Sequence, residues 1–314
     1  MTPLNINPSH IFTDSLNGSA ERAVVLGGGG SAGNAWLIGV IAGLFDAGLD
    51  LPSADLIVGT SAGSTAAVQL AGASSSQLLA SILTEQSARQ IASPSSNAGK
   101  VLQRQFPNQM ERLNQIISES KDPEDMCRRI GRVALEKDRE SVGSDQSRWR
   151  SIVAARLTLQ DWPDRKLFIT AVDADTGHPV VFDRYSGIDL VDAVAASCSN
   201  GFSVPPYELG RRRYLDGGYR RNENADLATG YPRVLVLSPF GGRTLTPLAW
   251  GRQLEAQVEE LRARGSIVEI ILPDQESLDA FGHNMLDLAR RPPSARAGYE
   301  QGRALAVDLV DFWG

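Results

Sequence analysis

The sequence is poorest in the residues that build metal centres and disulfide frameworks. Of 314 residues, only Cys127 and Cys198 are cysteines, and only His10, His178 and His283 are histidines. Two cysteines far apart in a long chain make no disulfide scaffold and point to a reducing compartment. No Cys or His pair sits at zinc-like spacing, so neither a metal nor any other cofactor is expected. An excess of positive charge is also missing. The formal net charge is −6, whereas nucleic-acid binders usually carry a basic face, so no nucleic-acid partner is expected. No apolar run approaches the ~20 residues of a transmembrane helix. The first twenty residues are polar and lack the basic start and apolar run of a leader, which makes a cytoplasmic protein the expectation.

The composition, 42% apolar and 22% charged, is that of an ordinary globular chain. After a loose arm (1–20), a single domain over 21–314 is expected. Arg22–Leu26 is a short apolar run stopped by four glycines, and Asn34–Ala47 carries apolar residues at helical spacing. Ala54–Val58 and Ser64–Leu70 repeat the strand-then-helix pattern. That alternation predicts an α/β fold, a three-layer α/β/α sandwich with a mainly parallel central sheet. From about 74 to 150, segments such as Met110–Glu119 and Pro123–Glu136 predict amphipathic helices, inserted between sheet elements as a cap or a solvated layer. Strands follow at Leu167–Val172, Pro179–Phe182, up to Leu215, Arg233–Leu237 and Ile267–Leu272. Helices are expected at Leu190–Ala196, Leu248–Arg264, Leu278–Arg290 and Ser294–Phe312.

The chemistry lies at strand ends, where parallel sheets place their ligands. Gly59-Thr60-Ser61-Ala62-Gly63 is a Gly-x-Ser-x-Gly pattern, which seats a serine on a tight strand-to-helix turn with glycines where a side chain would collide. The pattern recurs at Gly29-Gly30-Ser31-Ala32-Gly33, but four glycines tether Ser31 to its strand, too loose a mount for a nucleophile. Ser61 is the better candidate. The glycine loop Gly27–Gly33 brings backbone N–H groups together on one anionic point. Gly28-x-Gly30-x-x-Gly33 also matches a dinucleotide fingerprint, yet the second strand ends without the acid that reading requires. Asp216-Gly217-Gly218 follows the apolar Tyr214-Leu215, which places an acid at a strand end, although Asp-Gly is also an ordinary turn.

A glycine-rich loop after the first strand, Gly-x-Ser-x-Gly after the second and Asp-Gly-Gly downstream resemble the patatin-like phospholipases. The stretch from Ala196-Ser197-Cys198 through Pro205-Pro206 to Asp216 and Asn222 is similar to that family's run into its aspartate. The resemblance implies a lipid acyl hydrolase that forms an acyl-enzyme without a metal. Ser61 would be nucleophile, Asp216 base, and Gly28, Gly29 and Gly30 the oxyanion hole, supported by motif glycines Gly59, Gly63, Gly217 and Gly218. Its partner would be a lipid or acyl-ester substrate, met in transient contact with a membrane surface. Two positions depart from the family pattern: Ala32 stands where a basic residue is usual, and Asn224 where proline is frequent. The rival arrangements are a triad with His283 as base, and a non-catalytic nucleotide-binding or scaffold protein.

Overall fold

The computed structural model describes residues 21–91, 109–140 and 146–314. The N-terminal arm with His10, and parts of the insertion, lie outside the described residues. Eight strands form one sheet: β1 (Arg22–Leu26), β2 (Leu56–Gly59), β3 (Lys166–Asp173), β4 (Pro179–Phe182), β5 (Tyr207–Leu209), β6 (Arg212–Asp216), β7 (Arg233–Leu237) and β8 (Ile267–Ile271). The nine helices used below are α1 (Gly30–Asp46), α2 (Ala62–Gly72), α3 (Ser75–Ile91), α4 (Pro123–Glu140), α5 (Gln146–Ala154), α6 (Leu190–Ser197), α7 (Leu254–Ala263), α8 (Gln275–Phe281) and α9 (Arg291–Trp313). Residues 109–119 are also helical.

Hydrogen bonding links the strands in the order β5-β6-β3-β2-β1-β7-β8, with β4 also on β3. Neighbours from β3 through β2, β1 and β7 to β8 are parallel, and β4, β5 and β6 pair antiparallel. The sheet is mixed and mainly parallel, as the strand-helix alternation implied. The central strands β1, β2, β3 and β7 are buried on both faces, which explains their unbroken apolar runs. Along β1, Val24 and Leu26 join the core beneath α1, α2, α6 and α9, whereas Ala23 and Val25 face the core beneath α7. The second outer layer is thinner than the first. A third cluster joins Ile116, Ile117, Met126 and Ile130 of the inserted helices to Val172 and Leu215.

Helix boundaries moved where glycine intervenes. Leu248–Arg264 is not one helix, because Gly251 takes a left-handed φ of 61° and separates a short 3-10 turn (Leu248–Trp250) from α7. The stretch expected as Leu278–Arg290 likewise divides at Gly282, φ 62°, into α8 and a 3-10 turn at Leu288–Arg290. Conversely, α1 begins at Gly30, inside the glycine loop, four residues earlier than apolar spacing suggested.

Helix α1 lies against α9 in close backbone contact, reinforced by side-chain hydrogen bonds such as Trp36 Nε1 to Gln301 Oε1 at 3.0 Å. A Cβ on Gly39 would lie 2.1 Å from the Ala295 carbonyl oxygen, and one on Gly302 would lie 2.2 Å from that of Val40. Since α1 carries the glycine loop at its N-terminus, this contact fixes one wall of the site. Gly39→Ala should cost at least about 2 kcal/mol, because neither backbone can retreat without repacking the core. Val307→Ala on α9, at a position 79% exposed, should change stability by less than about 0.5 kcal/mol. Urea midpoints of the two variants check the contrast.

Candidate active site

Strand β3 brings the sequence-predicted residues together. Ile169 pairs with Gly59 on one side and Phe182 on the other, while Ala171 pairs with Val180 and Asp216. Because β4 occupies the opposite edge at both positions, β2 and β6 share one edge of β3 and run toward each other. The ends of β2 and β6 therefore meet two residues apart, with Ser61 beyond one and Asp216 at the other.

Ser61 sits at φ 52°, ψ −116°, a conformation costing a non-glycine residue about 1–3 kcal/mol. Its surroundings hold it there. The Ser61 N–H donates to Ser197 Oγ at 2.9 Å, and its carbonyl accepts from Ser64 Oγ at 2.6 Å and from the Cys198 thiol at 3.3 Å. The preceding Thr60 N–H donates to the Leu26 carbonyl at 3.0 Å, tying the turn to the end of β1. A Cβ on Gly59 would lie 2.6 Å from Ser64 Cα, and one on Gly63 1.9 Å from the Leu26 oxygen. Both motif glycines are thus required by close backbone approach. Gly217 is constrained in the same way, since its Cβ would meet Thr170 Oγ1 at 2.2 Å.

The Asp216 carboxyl faces the Ser61 hydroxyl, and its Oδ1 accepts the Gly218 N–H at 2.8 Å. Burial around the cavity raises its pKa to about 6, and the Ser61 hydroxyl and the Gly218 N–H only partly counter the shift. Cys198 beside it is not a rival nucleophile, because burial pushes its thiol up to about 11. His283 is exposed on the cavity rim and makes no hydrogen bond to Ser61 or Asp216 among the described residues. His178 pairs with Glu124 at 3.3 Å.

Of the three glycines expected to donate to an oxyanion, Gly28 has its N–H engaged on the Asn222 carbonyl at 3.1 Å. Its missing side chain matters instead, because a Cβ would fall 2.8 Å from Asn222 Oδ1 and 3.6 Å from Ser61 Cβ. The N–H groups of Gly29, Gly30 and Ser31 find no acceptor among the described residues, and all three residues line the same cavity as Ser61. They open α1, whose positive dipole end favours negative charge there. Ser31 therefore stands in the first turn of α1 with its N–H beside those of Gly29 and Gly30.

Sequence reasoning missed the scaffold that joins these parts. Asn224, at φ 56°, places Nδ2 3.0 Å from Thr60 Oγ1, 3.3 Å from Thr170 Oγ1, 3.2 Å from the Gly217 carbonyl and 2.7 Å from that of Arg221. It stitches the ends of β2 and β6 to the middle of β3. The cavity holds about 1170 Å³, with apolar wall from Ile38, Leu78, Ile82, Leu113, Ile117 and Met126. Five of these, Leu78 and Ile82 of α3, Leu113 and Ile117 of residues 109–119 and Met126 of α4, lie in the inserted helical stretch. Among the described residues, no three of His, Cys, Asp and Glu gather as a metal-binding group, and no single helix is long and apolar enough to cross a membrane.

A strained serine on a strand-to-helix turn, beside a buried carboxyl and a glycine loop, places the chain in the class of α/β proteins with a sharp strand–serine–helix turn. A family model described as patatin-like phospholipase matches residues 24–229, more than half of the chain, and the chain belongs to that family. Among solved structures it is similar to VipD from Legionella pneumophila, at 12% identity over 93% of this chain and 67% of that one, with a TM-score of 0.42. It is also similar to the type III effector protein ExoU, at 15% identity over 91% of this chain and 54% of that one, with a TM-score of 0.30. The chain thus spans about half of the ExoU chain. Comparison with curated proteins gives no match.

The raised Asp216 pKa has a consequence for stability. An unfolded aspartate ionises near 3.8 and the folded one near 6, so the fold loses stability as pH climbs through that window and gains nothing back above it. Asp216→Asn removes the buried charge. At pH 7 the variant should be more stable than wild type by about 1–3 kcal/mol, the upper value being reduced by solvent in the open cavity. The difference should vanish below pH 4. Denaturant titrations at pH 4 and 7 check this, and a less stable variant at pH 7 would refute it.

Proposed function

We propose that the chain is a lipid acyl hydrolase working through a Ser61–Asp216 dyad and an acyl-enzyme. The single observation that carries this reading is the strained Ser61 facing a carboxylate whose proton affinity burial has raised. A serine hydroxyl attacks an ester only as a base removes its proton. A solvated carboxylate, with pKa ~3.9, is too weak for that role. With its pKa near 6, Asp216 stays ionised at neutral pH yet holds a proton better, which suits it to accept one from Ser61.

Ser61 Oγ attacks the ester carbonyl while its proton passes to Asp216. The negative oxygen of the tetrahedral intermediate meets the N–H groups of Gly29, Gly30 and Ser31, which are already oriented and need no reorganisation. Collapse expels the alcohol, which takes the proton from Asp216, and leaves the acyl group on Ser61. Water then gives its proton to Asp216, attacks the acyl-enzyme and releases the fatty acid, after which Ser61 recovers the proton. The apolar wall of α3 and residues 109–119 takes the acyl chain.

A fluorophosphonate probe should label wild-type protein and not Ser61→Ala. Asp216→Asn should lower turnover of a short nitrophenyl ester by about 1,000-fold or more, the loss expected when a base is removed, while His283→Ala stays within about threefold. Activity of the wild type should rise with pH through about 6 and level off above, because only ionised Asp216 accepts the proton. An inactive, folded His283→Ala variant would overturn the dyad in favour of the triad, and an active Asp216→Asn variant would exclude both.

A further inference from the structure

The charge of the cavity runs against the charge of the protein. The chain carries 37 acidic and 31 basic side chains, excluding histidine. Yet the described lining of the cavity contains six arginines and a single carboxylate, Asp216. Three of these arginines, Arg220, Arg221 and Arg252, also line a smaller pocket of about 310 Å³, so they form a wall common to both spaces. Arg220 and Arg221 lie four and five residues beyond Asp216, immediately after the turn that carries it.

The three guanidinium groups differ in their partners. Arg220 grips Asp226 at 2.9 and 2.5 Å and reaches Asn224 Oδ1 at 2.8 Å, and Arg221 forms a two-bond fork on Glu260 at 2.7 Å. Arg252 has no carboxylate within ion-pair distance among the described residues, and its Nη1 donates to the Arg220 carbonyl. Burial, together with the neighbouring charges of Arg220 and Arg221, holds the Arg252 pKa below the ordinary arginine value. Three cations thus face two carboxylates, Asp226 and Glu260, leaving one positive charge uncompensated in a partly desolvated wall. The pocket's own acid, Glu124, is committed to Arg128 at 2.7 Å and His178 at 3.3 Å. An uncompensated, partly buried charge is costly, and a monoanion removes that cost. Guanidinium groups fit phosphate oxygens in particular, through paired N–H donors.

We propose that this side pocket is the headgroup subsite of the acyl site, that it takes the phosphodiester of a glycerophospholipid, and that Arg252 selects phosphate-bearing lipids over neutral acyl esters. The inference rests on the reading of Ser61 as an ester-cleaving nucleophile. A phosphodiester carries one negative charge and matches the one unpaired cation, while Arg220 and Arg221 are held in place by Asp226 and Glu260 before any ligand arrives. The acyl chain then runs toward the apolar wall, and the headgroup turns to the arginine wall next to Asp216.

Two substrates with the same acyl chains decide the matter: dihexanoyl phosphatidylglycerol and neutral dihexanoylglycerol. For the full chain, the ratio of kcat/KM on the first to kcat/KM on the second should fall at least about tenfold in Arg252→Gln, from loss of a charge-assisted hydrogen bond. The change should lie mainly in KM, and Arg252→Lys should restore part of it. An unchanged ratio in both variants, with wild-type thermal midpoints, would overturn the proposal. Calorimetry on Ser61→Ala protein makes the result independent of turnover. There the phospholipid should bind, the added Arg252→Gln change should weaken it by a similar factor, and inorganic phosphate should bind far more weakly. If wild type cleaves neither ester, the hydrolase reading fails, and the calorimetry still tests the pocket. Inorganic phosphate binding as tightly as the lipid would make this a free-anion site and overturn the headgroup role.

Discussion

Two strand ends driven against one edge of β3 set the geometry on which everything else depends. β2 arrives parallel and stops opposite Ile169, and β6 arrives antiparallel and stops opposite Ala171. A strand that ends in the middle of a sheet leaves backbone groups without a ladder partner, and buried groups of that kind must find other acceptors and donors. Here they are satisfied by side chains. Thr60, Thr170 and Asn224 form a hydrogen-bonded knot at the junction, with Thr60 Oγ1 and Thr170 Oγ1 at 2.9 Å. The chain cannot continue straight from either end. It turns sharply into α2 on one side and into a 3-10 turn on the other, and those two turns carry Ser61 and Asp216.

The same junction accounts for the chemical state of the pair. Asp216 is enclosed because the ends of both strands and the glycine loop surround it, and burial, not an ion pair, sets its proton affinity. Its compensation comes from one N–H and one hydroxyl, both neutral, so its proton affinity stays high. A salt-bridged aspartate would be a more stable and a poorer base. The Ser61 backbone is likewise held in a costly conformation, by bonds to α2 and to α6 with its capping residue Cys198. The donors of Gly29, Gly30 and Ser31 add a third uncompensated group. Strain and unsatisfied polarity concentrated at one point are typical of a site and not of a framework.

The architecture was legible wherever burial controlled the residue pattern. β1 and β7 begin and end where the apolar runs do, because strands covered on both faces read as unbroken hydrophobic segments. Ser61 and Asp216 were legible because glycines flank them, and the glycines are required by contacts as close as 1.9 Å. Legibility failed where one residue type serves two purposes. Gly30 reads as loop and is the first residue of α1, and Gly251 reads as helix interior and breaks the chain. The short edge strand β5, Tyr207–Leu209, has too few residues to show a period. Gly28 could not be told from Gly29 and Gly30, because which N–H is engaged depends on the Asn222 carbonyl, almost two hundred residues away.

Asn224 shows why a departure from a family pattern need not weaken a site. Proline at that position would fix φ near about −65° and offer no donor. The observed φ is 56°, in the left-handed region that asparagine tolerates better than most residues. The side chain then supplies the donor that the converging strand ends lack. Its Oδ1 accepts from Arg220 at 2.8 Å, while its Nδ2 reaches Thr60 Oγ1 and the Gly217 carbonyl. One amide therefore links the arginine wall to the residue before Ser61 and the residue after Asp216. The arginine wall is thereby tied, through a single planar group, to the chain neighbours of Ser61 and Asp216, which fixes where Arg220 sits relative to the pair.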